Sequence, residues 1–428
     1  MMYASAELEK RLLDEIMQMP AVDVHSHVPA DQPFALSLRD LLGYHYFTEL
    51  AHSAGMDKTV IAAENPDERM IPALLKAMEA LDNTVQYEWM MELARELFGF
   101  QEPRLTAENW LPLAEAVVAK GALQGREREI LAASHIEKVF LTNSFDENLD
   151  AIDREIFVPS LRADALVFNF ADEKVRKSLA AVTNVNIRKG ADLRAALESI
   201  FKRFQAAGAV SVALGLPPCY KVFPIAESDL DTAVGKAVEG KPLSAAETAS
   251  LHNGALFAIA ELCRQTHMVM QVMCGAARGA YHHGVPQGMD LPQAGDNLRG
   301  LLPLLNGFPD VTFCMSVLSD SQAHELASYG WIVQNVVVSG HWWYDNMPAY
   351  IERDLTARLQ SVPKTKLIGY YSDMYKLEFG LPKFNMYRRV LARALARDFV
   401  ESGRGTEAEA AETARLLLRE NAVRIFRL

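Results

Sequence analysis

The chain has 428 residues, half of them apolar, and carries 43 basic against 55 acidic residues for a formal net charge of -12. That length allows one large domain with insertions or two domains around a sizeable core. The acidic balance argues against nucleic acid and anionic membranes as partners and points to a small solute, with local Arg and Lys still able to hold an anion.

The first ten residues read as a charged helix without an apolar signal core, and no uncharged run of about 20 apolar residues occurs anywhere. The reading is a soluble, unexported protein of the cytoplasm. Cys219, Cys263, Cys274 and Cys314 are scattered, without a CxxC pair, which removes zinc-ribbon and thioredoxin readings. Their apolar neighbours suggest small buried hydrophobes in a reducing compartment.

Short apolar, β-branched runs then alternate with longer amphipathic segments, the pattern of strands joined by helical crossovers into a parallel sheet. Candidate strands fall at 21–26, 137–142, 164–169, 209–214, 268–274, 310–316, 333–339 and 366–371. Eight of them fit an α/β fold of the (β/α)8 TIM-like barrel type, whose sites lie at the C-terminal strand ends. Between the first two lie about 110 residues of helical pattern, too long for a plain βα loop. The expected organisation is a barrel from 1–29 and 136–428, with residues 30–135 as a helical insertion over its mouth. Apolar surface on that insertion offers a route to a homo-oligomer. Thr406 to Leu428 should form a closing amphipathic helix.

The first strand delivers the most informative residues. Val22-Asp23-Val24-His25-Ser26-His27 places two imidazoles at i and i+2, hence on one side of a strand, where both can reach one ion. A lone His-x-His is also a common accident. Here the apolar lead-in and the Pro-containing loop that follows are what a buried strand opening into a mouth looks like. Tyr44-His45-Tyr46 is a second cluster, either lining the same mouth or docking the insertion by aromatic packing. The best third ligand is Asp373, directly after the last apolar run, although an Asp in that place is also an ordinary turn or helix cap. His267, His282 and His283 are spare histidines, the latter two read as an exposed loop pair.

Together these pieces resemble the amidohydrolase superfamily and, within it, the uronate isomerases, over most of the chain. Asp23 to His27, followed by Leu38 to Tyr46, is similar to the family's D-x-H-x-H and H-Y blocks. Phe140 to Ser144 and Pro159 to Asp164 resemble its T-T-D-D and P-T-F-R-P-D pair, which makes Arg162 a substrate ligand. Ser339-Gly340-His341-Trp342-Trp343-Tyr344-Asp345 resembles G-x-W-W-F-N-D, bringing His341, Trp342 and Trp343 to the substrate, and Ser372-Asp373 resembles the T-D of the last strand. There are departures. Met273 stands where the family has a histidine, Ala213-Leu214 where it has D-H, and Met374-Tyr375 where the final motif continues S-R. A guanidinium holds a carboxylate through two charge-assisted bonds, whereas Tyr375 supplies at most one neutral bond. Arg162, Arg278 or Lys376 must then take over the substrate carboxylate.

The resemblance implies a metal-dependent aldose–ketose isomerase of sugar acids that works through an enediol. His25, His27 and Asp373 would hold one divalent metal, with zinc suited to two imidazoles and a carboxylate, and manganese or iron accommodated. Asp373 or Tyr46 would take the proton, with His45 as partner acid and Arg162 stabilising enediolate charge. The alternative is a divergent metal hydrolase or lyase acting on another small carboxylated compound, with Asp373 as general base.

Overall fold

The computed structural model describes residues 2–295 and 297–428. Its strands, in chain order, are β1 Ala21–Asp23, β2 Ile136–Phe140, β3 Phe157–Val158, β4 Ser160–Arg162, β5 Ser211–Leu216, β6 Val269–Cys274, β7 Ala276–Ala277, β8 Leu291–Pro292, β9 Phe313–Val317 and β10 Val336–Val338. Two parallel sheets run in the orders β1-β2-β3 and β10-β9-β6-β5-β4, and β7 pairs with β8 as a small antiparallel ribbon.

Backbone hydrogen bonds join the two sheets into a ring. Just beyond β2, Asn143 bridges in parallel to Leu161 of β4, its amide donating to the Ser160 carbonyl at 2.8 Å and its carbonyl accepting from the Arg162 amide at 2.9 Å. On the far side Leu367 bridges to Val338 of β10, and the Ile368 amide donates to the Val338 carbonyl at 2.9 Å. The stretch that follows returns to the first strand: Asp373 N donates to His25 O at 3.1 Å, and His27 N donates to Met374 O at 2.8 Å. Eight parallel staves therefore close on one another, and the last in chain order brings Asp373 beside the two histidines.

The strands β9 and β10 are buried along their whole length, as expected where helices cover one face and the barrel interior the other. The interior is filled. Gln271 reaches across it, donating to Val24 O at 3.0 Å and to Ser211 Oγ at 3.2 Å, which satisfies a buried amide beneath the mouth.

Between β1 and β2 the chain is helical, from Leu38–Leu42 through His45–Ser53, Asp67–Met78, Val85–Phe98 and Trp110–Gly121 to Arg126–Ser134. The first of these starts on a reciprocal cap, in which Ser37 accepts from the Asp40 amide and Asp40 accepts from the Ser37 amide. Leu111 and Val118, seven residues apart on one helix, both stand more than half exposed.

One expected strand is misplaced. Residues 164–169 are not a strand but contain the helix Asp164–Phe168, and the third stave is Ser160–Arg162. A short apolar run fits a buried strand or a buried helix equally well, and Asp164 favours the helix by placing a carboxylate in its first turn. Cys219 also departs from expectation: it is exposed in a loop after β5, whereas Cys263, Cys274 and Cys314 are buried free thiols. At the C-terminus Thr406 caps Glu407–Arg415, and helical backbone continues through Leu416–Glu420 to Asn421–Phe426. Among the described residues no helix is long and apolar enough to cross a membrane.

Candidate active site and metal centre

His25 and His27 extend the first stave, so their alternation puts both rings on one side, with centroids 5.2 Å apart. Asp373 Oδ1 lies 3.8 Å from His25 Nε2 and 3.3 Å from His27 Nε2. The three ligand atoms lie within 4.8 Å of one another.

The environment of these atoms fits a cation. Neither ring nitrogen of His25 nor Asp373 Oδ1 has a hydrogen-bond partner among the described residues, although all are buried. Buried polar atoms left unpaired are costly, and a divalent ion would satisfy His25 Nε2 and Asp373 Oδ1 together. Thr142 sets the state of His27. Its hydroxyl donates to Ser26 O at 2.8 Å, so at 2.7 Å from His27 Nδ1 it must accept that nitrogen's proton. The Nε2 lone pair is thereby turned toward Asp373, as metal-binding imidazoles require. Burial lowers the His25 pKa to about 3, which keeps its imidazole neutral. Burial alone would push Asp373 up, but His27, His25 and Lys383 outweigh it and hold the carboxyl well below its ordinary range.

A cavity of about 550 Å³ opens above these three residues. His45 and Tyr375 stand beside them, and Trp342 and Trp343 form one wall. His45 meets Trp343 edge-on with centroids 5.6 Å apart, and its Nδ1 has no hydrogen-bond partner among the described residues. Burial lowers its pKa to about 3, so it too is neutral. Across the mouth Arg162 and Arg278 enter the lining. Arg162 Nε lies 3.5 Å from Asp164 Oδ2, and Arg278 Nη1 lies 2.5 Å from Asp290 Oδ2. The two groups converge at Gly215: a Cβ there would come 3.2 Å from Asp164 Oδ1 and 3.8 Å from Arg278 Nη2, so the missing side chain leaves them room. The Tyr375 phenol is raised by burial and by Asp373, with Arg162 and Arg278 both opposing, so it stays protonated between the two ends.

The structure thus gathers His25, His27, His45, Arg162, Arg278, Trp342, Trp343, Asp373 and Tyr375 round one cavity. Three residues expected there lie elsewhere. Tyr46 points behind the carboxylate, its hydroxyl donating to Asp373 Oδ2 at 3.1 Å. Burial raises that phenol well above its ordinary pKa, so it stays protonated as the donor in that bond. His341 Nε2 sits 2.6 Å from Asp354 Oδ2, which also meets Arg358 Nη2 at 2.6 Å, a buried cluster below Trp342. Lys376 donates to Gln32 O at 2.7 Å, away from the arginines. The exposed pair His282 and His283 stays outside the lining, and Met273, Ala213 and Leu214 form part of it. Sequence reasoning gave no role to Thr142, Asp164 or Asp290. The position of Thr142 just past β2 was the available signal.

The chain matches the family model described as glucuronate isomerase over residues 2–426. A uronate isomerase of Sphingopyxis alaskensis is 24% identical over 453 aligned positions that cover 96% of this chain and 93% of that protein. Among solved structures, a uronate isomerase from Thermotoga maritima superposes with a TM-score of 0.89 at 19% identity, covering 99% of this chain and 97% of the other. A glucuronate isomerase from Caulobacter crescentus gives the same TM-score and identity over 99% and 94% of the two chains. The superpositions carry the barrel fold, and the family match, which spans nearly every residue, carries membership: the chain belongs to the glucuronate isomerase family.

Proposed function

We propose that this protein interconverts the aldose and ketose forms of a uronate. The observation that carries the reading is a single cavity with a His25–His27–Asp373 ligand set at one end and two guanidinium groups at the other, in a chain of this family. Two neutral imidazoles and one carboxylate suit zinc and leave coordination positions open for substrate. A divalent ion held there supplies electrophilic polarisation of substrate oxygens.

The chain's own residues supply the rest. Arg162 and Arg278 hold the substrate carboxylate, and the Tyr375 hydroxyl adds a neutral bond where a third cation is missing. Trp342 and Trp343 present a flat wall to the carbon chain of the sugar and exclude water from it. The ionised Asp373 removes the proton from C2, O1 is protonated, and the enediol forms. Loss of the O2 proton and return of a proton to C1 give the ketose. His45, neutral and with Nδ1 unengaged, exchanges the oxygen-bound protons. Tyr46 keeps Asp373 oriented throughout. Three buried free cysteines suit the reducing cytoplasm in which such an enzyme would act.

The test is incubation of zinc- or manganese-loaded protein with D-glucuronate and D-galacturonate in D2O, followed by NMR. The expected result is a ketose carrying deuterium at C1. Bound metal with no ketose, or hydrolysis of another carboxylated compound without exchange at carbon, would sink the reading and favour the hydrolytic alternative.

A further inference from the structure

Behind the metal-ligand set, on the side away from the cavity, lies a charge for which the proposed reaction has no use. Lys383, on the helix Gly380–Leu395, is 0% exposed. Its Nζ lies 4.8 Å from the ring centroids of Tyr46 and Trp89 and 5.0 Å from that of Tyr44, so three aromatic faces surround the ammonium. It donates to two oxygens, Tyr44 Oη and Ser372 O, each at 2.8 Å. Tyr44 in turn donates to Asp373 O at 3.0 Å. One buried amine therefore holds two successive carbonyls, that of Ser372 directly and that of Asp373 through one phenol.

Those carbonyls flank a special backbone position. Asp373 has φ +53°, in the left-handed region, where a side chain other than glycine is held only by its surroundings. The turn is fastened on its other side as well: Asp23 Oδ1 accepts from the Ser372 amide at 2.9 Å, Asp23 Oδ2 accepts from the Ser372 hydroxyl, and the Met374 amide donates to Ser372 Oγ at 3.1 Å. Burial lowers the Lys383 pKa to about 7, and the charges of Asp373 and Asp23 oppose that shift.

We infer that Lys383 is a positioning residue for the metal site: through Tyr44 and the Ser372 carbonyl it holds Asp373 in the left-handed turn that aims its carboxylate at His25 and His27. Groups that orient a metal ligand from behind typically change metal affinity about 10- to 100-fold when removed. A simple core residue would change stability alone.

The inference rests on the assignment of His25, His27 and Asp373 as ligands, and the experiment separates the two. Zinc affinity is measured by chelator competition for the wild-type chain, Lys383→Met and Tyr44→Phe, alongside the thermal melting of each metal-free protein and the kcat and KM of each loaded one. Lys383→Met keeps the length of the side chain among the three rings and removes its charge. Tyr44→Phe deletes one oxygen and breaks the link to Asp373 O. The expected result is about 10- to 100-fold weaker zinc binding in Lys383→Met, a smaller loss in Tyr44→Phe, and a fall in kcat that exceeds any rise in KM. A double variant no weaker than Lys383→Met would place both residues on one path. If Lys383→Met fails to fold, Tyr44→Phe decides. Zinc affinity and kcat within twofold of wild type in the variants that fold, whatever their melting points, would overturn the inference. A wild-type chain that binds no metal would instead overturn the ligand assignment.

Discussion

At one end of the cavity His25 and Asp373 are 2% and 4% exposed, and each is tied to the other's stave by backbone hydrogen bonds. At the other end the side chains of Arg162 and Arg278 are 47% and 57% exposed, each facing one carboxylate. The first end is fixed in place before substrate arrives, so its cost is met by folding and its geometry cannot adapt. The second is open to solvent, so its side chains can change with the substrate at little cost to stability. Ala213, Leu214, Met273 and Tyr375, the positions where the sequence resemblance breaks down, all belong to the cavity lining.

The contrast can be broken most sharply at the buried end. His25→Ala should abolish stoichiometric metal binding, measured by elemental analysis, and lower kcat by about a thousandfold or more, because several kcal/mol of charge stabilisation go with the ion. At the open end, Arg162→Met or Arg278→Met should lower kcat/KM by roughly one to two decades, from the loss of about 1.5–3 kcal/mol of charge-assisted hydrogen bonding. Steady-state kinetics should place most of that loss in KM, and melting points should stay close to wild type. A loss of folding in either arginine variant would erase the distinction between the ends.

Tyr46→Phe sharpens the comparison from behind. It removes one hydrogen bond to the Asp373 carboxylate, about 1.5 kcal/mol, and should lower kcat about tenfold while KM holds. A larger effect on KM would assign Tyr46 to substrate binding, which its position does not favour.

The smallest effect concerns Glu49, at the edge of the aromatic wall, whose Oε2 accepts from Trp343 Nε1 at 3.2 Å. Burial raises its pKa to about 8; the Trp343 hydrogen bond opposes this, and the charge of Asp290 adds to it. The folded chain therefore binds a proton that the unfolded chain releases near pH 4.5, and this group's contribution to stability falls as pH rises from about 4.5 to 8. Glu49→Gln should keep the Trp343 bond and remove that loss. Calorimetric melts should show the variant about 1–3 °C more stable at pH 8 and equal to wild type near pH 4.5.

Much of the ligand end could be read from sequence because strand geometry is local. An i, i+2 pair needs no tertiary knowledge to share a face, and Asp373 follows an apolar run that ends a stave. The aromatic wall and Arg162 came through resemblance, and Arg278 as a cation able to replace one missing near Tyr375, since nothing in their spacing says that β4, the chain after β6 and the chain after β10 meet. Tyr46 and His341, expected at the substrate, lie outside the cavity lining, Tyr46 against Asp373 and His341 against Asp354. Neighbours in sequence separate there, with His45 facing the cavity and Tyr46 the buried carboxylate. Lys383 left no trace in the sequence, because a lysine in an amphipathic helix ordinarily marks its solvent face. The third stave was lost to the helix Asp164–Phe168 because four apolar residues carry no period long enough to choose between strand and helix.

The most direct measurement is a crystal structure of the zinc-loaded protein with D-glucuronate, using anomalous scattering to locate the ion. The expected result is one zinc bound by His25 Nε2, His27 Nε2 and Asp373, with the sugar's C1–C2 end toward it and the carboxylate between Arg162 and Arg278. Zinc at any other residues, or a sugar carboxylate turned toward the metal with the arginines unoccupied, would contradict it.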